Sequence, residues 1–129
     1  MDPLLLNLDE VVAIHRDQIE RYGGTLGVRD WGLLQSAVAT PSATFAGQFL
    51  HSDLLEMAAA CLFHIVQNHP FIDGNKRVGA VAADVFLALN DIELRASEDD
   101  YAELVLSVAR GETSKSAVAE FLRANSKTI

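Results

Sequence analysis

The sequence is poor in several features that mark particular classes of protein. Its single cysteine, Cys61, excludes an internal disulfide bond. The apolar, helix-patterned residues around Cys61 predict a buried thiol that behaves as a small hydrophobe. No apolar stretch reaches the roughly 18 residues that a membrane-spanning helix requires. We therefore expect neither a disulfide-stabilised fold nor a membrane protein.

Basic residues are also few: 10 Lys and Arg stand against 18 Asp and Glu, and the formal net charge is −8. A nucleic-acid-binding domain usually carries a basic surface, so the charge argues against that class. The N-terminus has no positively charged region before an apolar run, and a secretory signal peptide is therefore not expected. These features predict a cytoplasmic protein that binds neither nucleic acid nor a membrane.

What the sequence does have is helical periodicity over nearly its whole length. Half of its residues are hydrophobic, and 129 residues is an ordinary length for one domain. There is no internal repeat, low-complexity segment or linker, so residues 1–129 are predicted to form a single all-α domain of about six helices. The predicted helix starts are Asn7 or Asp9, Asp30, Ser52 or Asp53, Asn75, Ser97 and Thr113.

Two connecting segments differ from the helices in composition. Residues 40–52 contain Pro, Gly, Ser and Thr, with Phe45 and Phe49 between them, and predict a long loop or flap. Loops of this length are often functional lids. Phe45 and Phe49 either dock a target or partner segment or pack the loop onto the core, and the sequence favours neither. Residues 92–96 predict a short extended piece.

The most informative stretch is residues 69–77, HPFIDGNKR. Apolar helical sequence lies on both sides of it, over residues 54–66 and 78–89. It costs free energy to bury a base, an acid, an amide and two cations between two core helices, so a functional role is expected for them. The stretch therefore predicts a polar site at the connection between the two central helices.

The second half of this motif has the chemistry of an anion site. Gly74 lets the backbone come close to a ligand, and Asn75 occupies the position expected of a helix N-cap. The first N–H groups of the following helix would then face an anion, which the helix dipole favours. Lys76 and Arg77 add cations at the same place.

Two further residues of the motif suit catalysis. Asp73 offers a hard oxygen ligand for magnesium, and His69 is a candidate general base for an incoming hydroxyl. Each also has a structural alternative. His69 can be a structural residue whose ring makes its hydrogen bonds within the turn between the two helices. Asp73 can form an i,i+4 ion pair with Arg77 that contributes only a few tenths of a kcal/mol.

Several other polar residues are predicted to be structural. His15 lies on the apolar stripe of the first helix and predicts a buried histidine with a hydrogen-bond partner. His51 is expected to be exposed in the flap, and Arg29 and Asp30 are expected to cap a helix. His64 has no carboxylate or cysteine at a spacing that would complete a zinc site.

Residues 69–77 closely resemble the signature of the Fic/Doc family. Three further segments resemble the Doc branch of that family, the "death on curing" toxins: residues 21–24 (RYGG), 27–30 (GVRD) and 109–113 (ARGET). The resemblance covers nearly the whole chain, and the nine-residue motif is specific. It implies a compact helical Fic/Doc domain with the active loop between its two central helices.

The family contains two chemistries. Fic enzymes transfer AMP from ATP to a protein hydroxyl. The Doc branch resembles them in fold but phosphorylates translation elongation factor Tu, with the nucleotide bound in the opposite direction. AMP-transferring motifs have a glycine at the position of Lys76 and a second arginine at that of Ala80, so both residues match the Doc branch. Gly74 instead matches the AMP-transferring motifs, since the Doc branch has an alanine at this position.

The resemblance also implies roles for the motif residues. His69 would deprotonate a Ser or Thr hydroxyl, Asp73 would carry Mg²⁺, and Arg77 would clamp a phosphate. Residues 74–76 would form an anion-binding nest with their backbone groups and side chains. ATP would be the substrate, and a partly disordered antitoxin that folds onto the toxin would restrain the enzyme.

Three hypotheses follow for the function. The first is a Doc-like Ser/Thr kinase toxin that modifies a translation factor and arrests translation. The second is a Fic-type protein AMP transferase, which differs in the phosphorus atom that is attacked. The third is a non-catalytic binding module that keeps the motif as a structural turn and binds no nucleotide.

Overall fold

The computed structural model describes residues 2–129, and six helices contain most of them. The helices are α1 (Leu8–Tyr22), α2 (Trp31–Ala39), α3 (Leu54–Asn68), α4 (Asn75–Leu89), α5 (Glu98–Ala109) and α6 (Lys115–Ala124). The predicted all-α class and the number of helices are confirmed. Within the described residues, no helix is both long and apolar enough to span a bilayer.

Side-chain caps determine where most of the helices begin. Asn7 and Glu10 form a capping box at the start of α1, in which each side chain accepts the other's backbone N–H. The other capping side chains are those of Asp30, Asp53, Ser97 and Ser114. The predicted cap of α6 was wrong by one residue, since Ser114 and not Thr113 accepts the N–H of Ala117.

Helix α3 lies at the centre of the molecule and packs against α2, α4, α5 and α6. On one side, Met57 and Leu62 are fully buried in a cluster with α4, α5 and α6. On another side, Cys61 and Ile65 pack in a second cluster with α1 and α2. Because α3 is buried by helices around most of its circumference, its C-terminal end is fixed in space, and the 69–77 motif begins there.

Helices α3 and α4 approach closely because Gly79 has no side chain. A Cβ atom at Gly79 would lie 2.8 Å from Cγ2 of Val66 and 3.2 Å from the carbonyl oxygen of Leu62. The first of these separations is shorter than real side chains tolerate. The connection between the two helices, residues 69–74, is therefore held between two tightly packed elements, and we call it the motif loop.

Four short strands form two antiparallel pairs. The strands β1 (Thr44–Phe45) and β2 (Gln48–Phe49) make a hairpin within residues 40–52, and a single 3₁₀ turn precedes it. This segment is therefore more ordered than the predicted loop. The strand β3 (Ile92–Leu94) confirms the predicted extended piece and pairs with β4 (Ser126–Thr128). The sequence carries no signal for β4, which consists of three polar residues.

Candidate active site

Helix α3 ends at the residue that the sequence marks as a base. His69 is its C-cap, in the left-handed conformation with φ 52° and ψ 53°, and its N–H donates to the carbonyl of Ile65 at 3.3 Å. The next residue, Pro70, is buried and cannot continue the helix. The side chain of His69 is exposed, which disfavours the alternative of a histidine satisfied within a turn and leaves the ring open to a substrate.

Arg29 caps the C-terminal end of α3. Its Nε donates to the carbonyl of His69 at 2.7 Å and its Nη2 donates to the carbonyl of Asn68 at 3.0 Å. Its backbone N–H also donates to the carbonyl of Pro70 at 2.7 Å. The predicted capping role of Arg29 is thus confirmed, but at the end of α3, while Asp30 caps the start of α2. Arg29 thereby fixes the backbone that carries His69.

The connection between α1 and α2 runs alongside the motif loop. Val28 and Phe71 form an isolated antiparallel bridge, and the N–H of Ile72 donates to the carbonyl of Gly27 at 3.0 Å. Phe71 is fully buried. Residues 27–30 therefore lie directly against the motif loop. The RYGG and GVRD segments carry part of the family resemblance, but the sequence alone does not indicate that they lie beside the motif.

His15 of α1 packs against the buried side of the motif loop and hydrogen-bonds to it. It is 1% exposed, its ring stacks on Phe71 with centroids 4.0 Å apart, and its Nε2 lies 2.9 Å from the carbonyl oxygen of Asp73. Burial lowers the pKa of His15, although the carbonyl of Asp73 opposes that shift. His15 is therefore neutral at pH 7 and donates to Asp73 from Nε2. The prediction of a buried, hydrogen-bonded histidine is confirmed.

Asn75 does not have its predicted role. It is the first residue of α4, 3% exposed, and its side chain accepts from the N–H of Phe71 at 2.9 Å and donates to the carbonyl of Phe71 at 3.0 Å. The N-cap is Gly74, with φ 81°, and no side chain caps this helix. The correction matters because the orphan N–H groups at the start of α4 are left for a ligand.

The carboxylate of Asp73 is held in place by backbone donors. Its Oδ2 accepts from the N–H of Thr25 at 3.1 Å, and its Oδ1 accepts from the N–H of Gly74 at 2.9 Å. These hydrogen bonds, first that of Thr25, lower the pKa of Asp73. A Cβ atom at Gly24 would lie 2.6 Å from Oδ2 of Asp73. The second glycine of the RYGG segment thus makes room for the carboxylate.

Arg77 reaches across to the C-terminal end of α1. Its Nη2 donates to the carbonyl of Gly23 at 3.0 Å and its Nη1 donates to that of Gln18 at 3.4 Å. Its guanidinium carbon lies 6.0 Å from the ring centroid of Tyr22. The salt bridges among residues 2–129 do not include a pair between Arg77 and Asp73. The i,i+4 alternative is thus not what holds Asp73.

One cavity of about 370 Å³ brings the predicted site residues together. Its polar lining consists of His69, Asp73, Gly74, Asn75, Lys76 and Arg77. The side chain of Lys76 is exposed and that of Arg77 is half-buried, so cationic groups and the open end of α4 face the same space as the base. A cavity that joins a base, a carboxylate and an anion site suits the transfer of a phosphate-containing group to a hydroxyl.

Phe45 and Phe49, the predicted flap residues, do not line this cavity. The hairpin precedes α3, and a helix of 15 residues is about 22 Å long at about 1.5 Å per residue. Phe45 is 73% exposed, whereas Phe49 packs against the core. Phe49 thus packs the segment onto the core, as one of the two alternatives predicted, whereas docking by Phe45 stays a prediction. His51, expected to be exposed, is buried with 9% exposure, because α6 packs beside the end of the segment.

The described part of the chain contains no site that would bind a metal ion through protein side chains alone. Among residues 2–129, no group of three or more His, Cys, Asp or Glu side chains is arranged to hold a metal ion. A metal ion at the motif would need ligand atoms from a bound nucleotide and water in addition to Asp73.

Known proteins resemble this chain in sequence. A model of the Fic/DOC family matches residues 5–87. The chain is 35% identical over 115 residues to Protein kinase doc of Escherichia phage P1, covering 89% of this chain and 90% of that protein. It is 46% identical over 78 residues to Toxin Doc of Mycolicibacterium smegmatis, and this match spans only 60% of the length of either protein. The protein therefore belongs to the Fic/Doc family.

Proposed function

We propose that this protein is the toxin of a toxin–antitoxin pair and a protein kinase. It transfers the γ-phosphoryl group of ATP to a Ser or Thr hydroxyl of a translation factor similar to elongation factor Tu, and so arrests translation. The observation that carries the proposal is the single cavity that holds His69, Asp73 and the uncapped start of α4. The two relatives, which are named as a toxin and a protein kinase, support it.

His69 is the general base of this reaction. Its ring accepts the proton of the incoming hydroxyl while the hydroxyl oxygen bonds to the γ-phosphorus. The bond from that phosphorus to the bridging oxygen breaks, ADP leaves, and the imidazolium afterwards returns its proton to solvent. Arg29 acts on His69 only through the backbone, by bonding the carbonyls of Asn68 and His69.

The start of α4 and its cations hold the phosphates. The first N–H groups of α4 have no acceptor within the helix, and no side chain caps them. Lys76 adds an exposed ammonium, and Arg77 keeps N–H donors beyond the two that bond Gly23 and Gln18. Catalysis here is mainly positioning and neutralisation of charge on the phosphate oxygens.

Asp73 fits the ligand that Mg²⁺ requires. Its lowered pKa keeps the carboxylate ionised, and each oxygen accepts one backbone hydrogen bond, which leaves lone pairs for a cation. Mg²⁺ commonly binds one or two carboxylates together with substrate phosphates and water. When bound, it would neutralise charge on the phosphate oxygens. Asp73 would hold it, and Thr25 and Gly74 would orient that carboxylate.

AMP transfer is the second candidate, and Gly74 is the residue that favours it, because AMP-transferring motifs have glycine at this position. Lys76 and Ala80 favour the kinase. Ala80 removes the second arginine that would clamp the outer phosphates, and Lys76 supplies a charge beside the open end of α4, where a terminal phosphate can be held in line with the hydroxyl.

An antitoxin is the expected partner. We propose that a partly disordered antitoxin segment folds onto the groove beside residues 40–52, where Phe45 offers an exposed aromatic side chain. The hairpin lies away from the motif cavity, so such a partner need not enter the site to bind.

The test of the proposed function is the intact mass of a translation elongation factor after incubation with the protein, ATP and Mg²⁺. A gain of one phosphoryl group is expected, and it should disappear when Mg²⁺ is chelated. A gain of one adenylyl group would assign the AMP-transferase alternative instead. No modification of the factor and no Mg²⁺-dependent binding of ATP would favour the non-catalytic module.

A further inference from the structure

An apolar groove lies outside the motif cavity, between α1 and the start of α2, and we call it the α1–α2 groove. Its volume is about 260 Å³, below the range of about 300–1,000 Å³ that is usual for pockets of small ligands and cofactors. Its lining comes from α1 and from the connection to α2, and includes Val12, His15, Arg16, Leu26, Val28 and Trp31. Its size therefore suits an inserted side chain better than a cofactor.

Large apolar side chains around the α1–α2 groove are in contact with solvent. Leu26, Trp31 and Ile72 are 51%, 54% and 50% exposed. Ile72 belongs to this patch because its Cδ1 lies beside Gly27, 2.8 Å from the position that a Cβ atom would take there. Apolar side chains exposed singly are common, but a continuous patch with a polar rim is typical of a protein-binding surface.

The surface of α1 beside the groove is acidic. Val12 and Arg16 also line a shallow depression along this helix, together with three carboxylates, those of Asp9, Asp17 and Glu20. Asp17 forms an exposed ion pair with Arg21, whereas the salt bridges among residues 2–129 include neither Asp9 nor Glu20. Three carboxylates against the one cation of Arg16 give this rim a net negative charge.

Charge indicates which kind of partner fits the groove. The chain has a net charge of −8, so a second copy would bring like charge to an acidic rim, and like charges placed together cost free energy. A segment that carries Lys or Arg next to an apolar side chain instead complements both the rim and the groove. A large side chain that fills a pocket commonly supplies much of the binding energy of an interface.

The groove also contacts the motif loop. His15 lines the groove, stacks on Phe71 with ring centroids 4.0 Å apart, and lies 2.9 Å from the carbonyl oxygen of Asp73 through its Nε2. The lining residues of the groove are different from those of the motif cavity. A partner in the groove would therefore lie next to the motif loop and leave the motif cavity open.

We propose that the α1–α2 groove docks a polypeptide segment of a partner protein in which one large apolar side chain is flanked by Lys or Arg. The apolar side chain enters the groove between Leu26 and Trp31, and the cations lie against the carboxylates of α1. The docking does not depend on the proposed kinase activity, because it uses none of the residues that line the motif cavity.

Trp31 reports on this groove directly, because it is the single tryptophan of the chain. Its emission is followed while the full chain is titrated with three short synthetic peptides. The first has a central phenylalanine flanked by lysines, the second has serine in place of the phenylalanine, and the third has glutamates in place of the lysines. The first should shift the emission to shorter wavelength and saturate, because it covers a half-exposed indole. The other two should bind at least about tenfold more weakly.

Variants of the groove and its rim locate the binding. Leu26→Ser should weaken binding of the first peptide about tenfold, the loss expected for one buried leucine contact. Glu20→Gln should make that binding less sensitive to salt, because it removes one charge from the rim. Leu106→Ser is the matched control, since Leu106 is an exposed leucine of α5 and should bind the peptide as the wild type does.

The proposal is overturned if the first peptide causes no saturable shift, or if the glutamate peptide binds as tightly. It is equally overturned if Leu26→Ser, with the wild-type thermal midpoint, binds the first peptide as tightly as the wild type. Sedimentation of the free chain tests the other occupant: a dimer that Leu26→Ser dissociates would assign the groove to a second copy and contradict the proposal.

Discussion

The two ends of α3 carry segments that are held in opposite ways. At its C-terminal end, the backbone of the motif loop is bonded by side chains that come from other elements. Arg29 bonds the carbonyls at the helix end, His15 bonds the carbonyl of Asp73, and Asn75 bonds both backbone groups of Phe71. These contacts leave the loop few alternative conformations.

At the N-terminal end of α3, residues 40–52 pack on the core at Pro41, Phe49 and His51 and leave residues 44–48 exposed. Their hairpin is two residues long on each side, the N–H of Leu50 donates to the carbonyl of Ala43 at 3.0 Å, and the hydroxyl of Thr40 bonds the preceding turn of α2. Phe45 projects from this hairpin and is largely exposed. The exposed tip of the hairpin thus presents Phe45 without packing it against other residues of the core.

A small helical protein can thus assign catalysis and partner binding to segments that are held differently. The proposed base, carboxylate and anion site would have to keep their geometry for a group transfer, and hydrogen bonds from residues distant in the sequence hold the loop that carries them. A surface for a partner can adapt when the partner binds.

Replacement of His69 should lower catalysis without destabilising the fold. His69→Asn should lower phosphoryl transfer by about 100- to 10,000-fold, the usual contribution of a general base. Asparagine tolerates the left-handed conformation at this C-cap, so the thermal midpoint should stay close to that of the wild type. Transfer at the wild-type rate in a folded His69→Asn protein would remove His69 from the mechanism.

Gly24, beside the motif loop, and Gly47, in the hairpin, both have a positive φ and form a matched pair of substitution sites. Gly24→Ala would place its Cβ 2.6 Å from Oδ2 of Asp73, whereas Gly47→Ala meets nothing within 4 Å. Both should cost about 1–2 kcal/mol in unfolding free energy from backbone strain, but only Gly24→Ala should also reduce transfer, by more than about tenfold. Equal activity in the two variants would contradict the role of Gly24 in placing Asp73.

Removal of the Arg29 cap should affect the motif loop alone. Arg29→Ala should lower kcat by about tenfold because the backbone under His69 is released, and should lower the unfolding free energy by about 1 kcal/mol, as expected for exposed hydrogen bonds. Arg95→Ala is the control, since Arg95 pairs only with exposed Glu93 and should change neither. A wild-type kcat in Arg29→Ala would show that the motif loop keeps its geometry without the cap.

Acid should loosen the motif loop through His15. Burial holds the pKa of His15 below 6.5, so the folded state binds fewer protons than the unfolded state. The resulting stability is fully present above about pH 6.5 and is lost as the pH falls towards the folded pKa. His15→Phe keeps the stacking on Phe71 and should show a shallower loss of stability from about pH 7 to about pH 5 in urea unfolding. An unchanged slope would mean that His15 does not govern it.

The smallest effect on chemistry is expected at the hairpin. Phe45→Ala should leave the unfolding free energy within about 0.5 kcal/mol of the wild type, while Phe49→Ala should lower it by about 1–2 kcal/mol because Phe49 packs on the core. Neither variant should change transfer in the absence of the antitoxin. Hydrogen exchange should show protection of residues 40–52 on adding the cognate antitoxin, and no protection there would exclude this docking surface.

Much of the fold could be predicted from the sequence because its signals are local. The capping side chains of Asn7, Asp30 and Asp53 lie within three residues of the N–H groups that they accept, and the apolar periodicity of α3 and α4 needs no knowledge of their partners. The six motif residues could be grouped for the same reason, since nine consecutive positions contain them.

The rest of the site depends on contacts between residues far apart in the sequence. The hydrogen bonds of Arg29 to His69 and of Thr25 to Asp73 join positions 40 and 48 residues apart, and no periodicity encodes them. Asn75 was misassigned because an amide at a helix start is usually a cap, whereas here it bonds the backbone of Phe71. The burial of His51 likewise depends on α6, more than 60 residues later.

The most direct test of the proposed kinase activity follows the fate of two labelled phosphates. The protein is incubated with Mg²⁺ and the translation factor, and with ATP labelled at the γ position or, separately, at the α position. Label should enter the factor only from γ-labelled ATP, and His69→Asn should abolish its entry. Label that enters only from α-labelled ATP would contradict the kinase proposal and establish AMP transfer in its place.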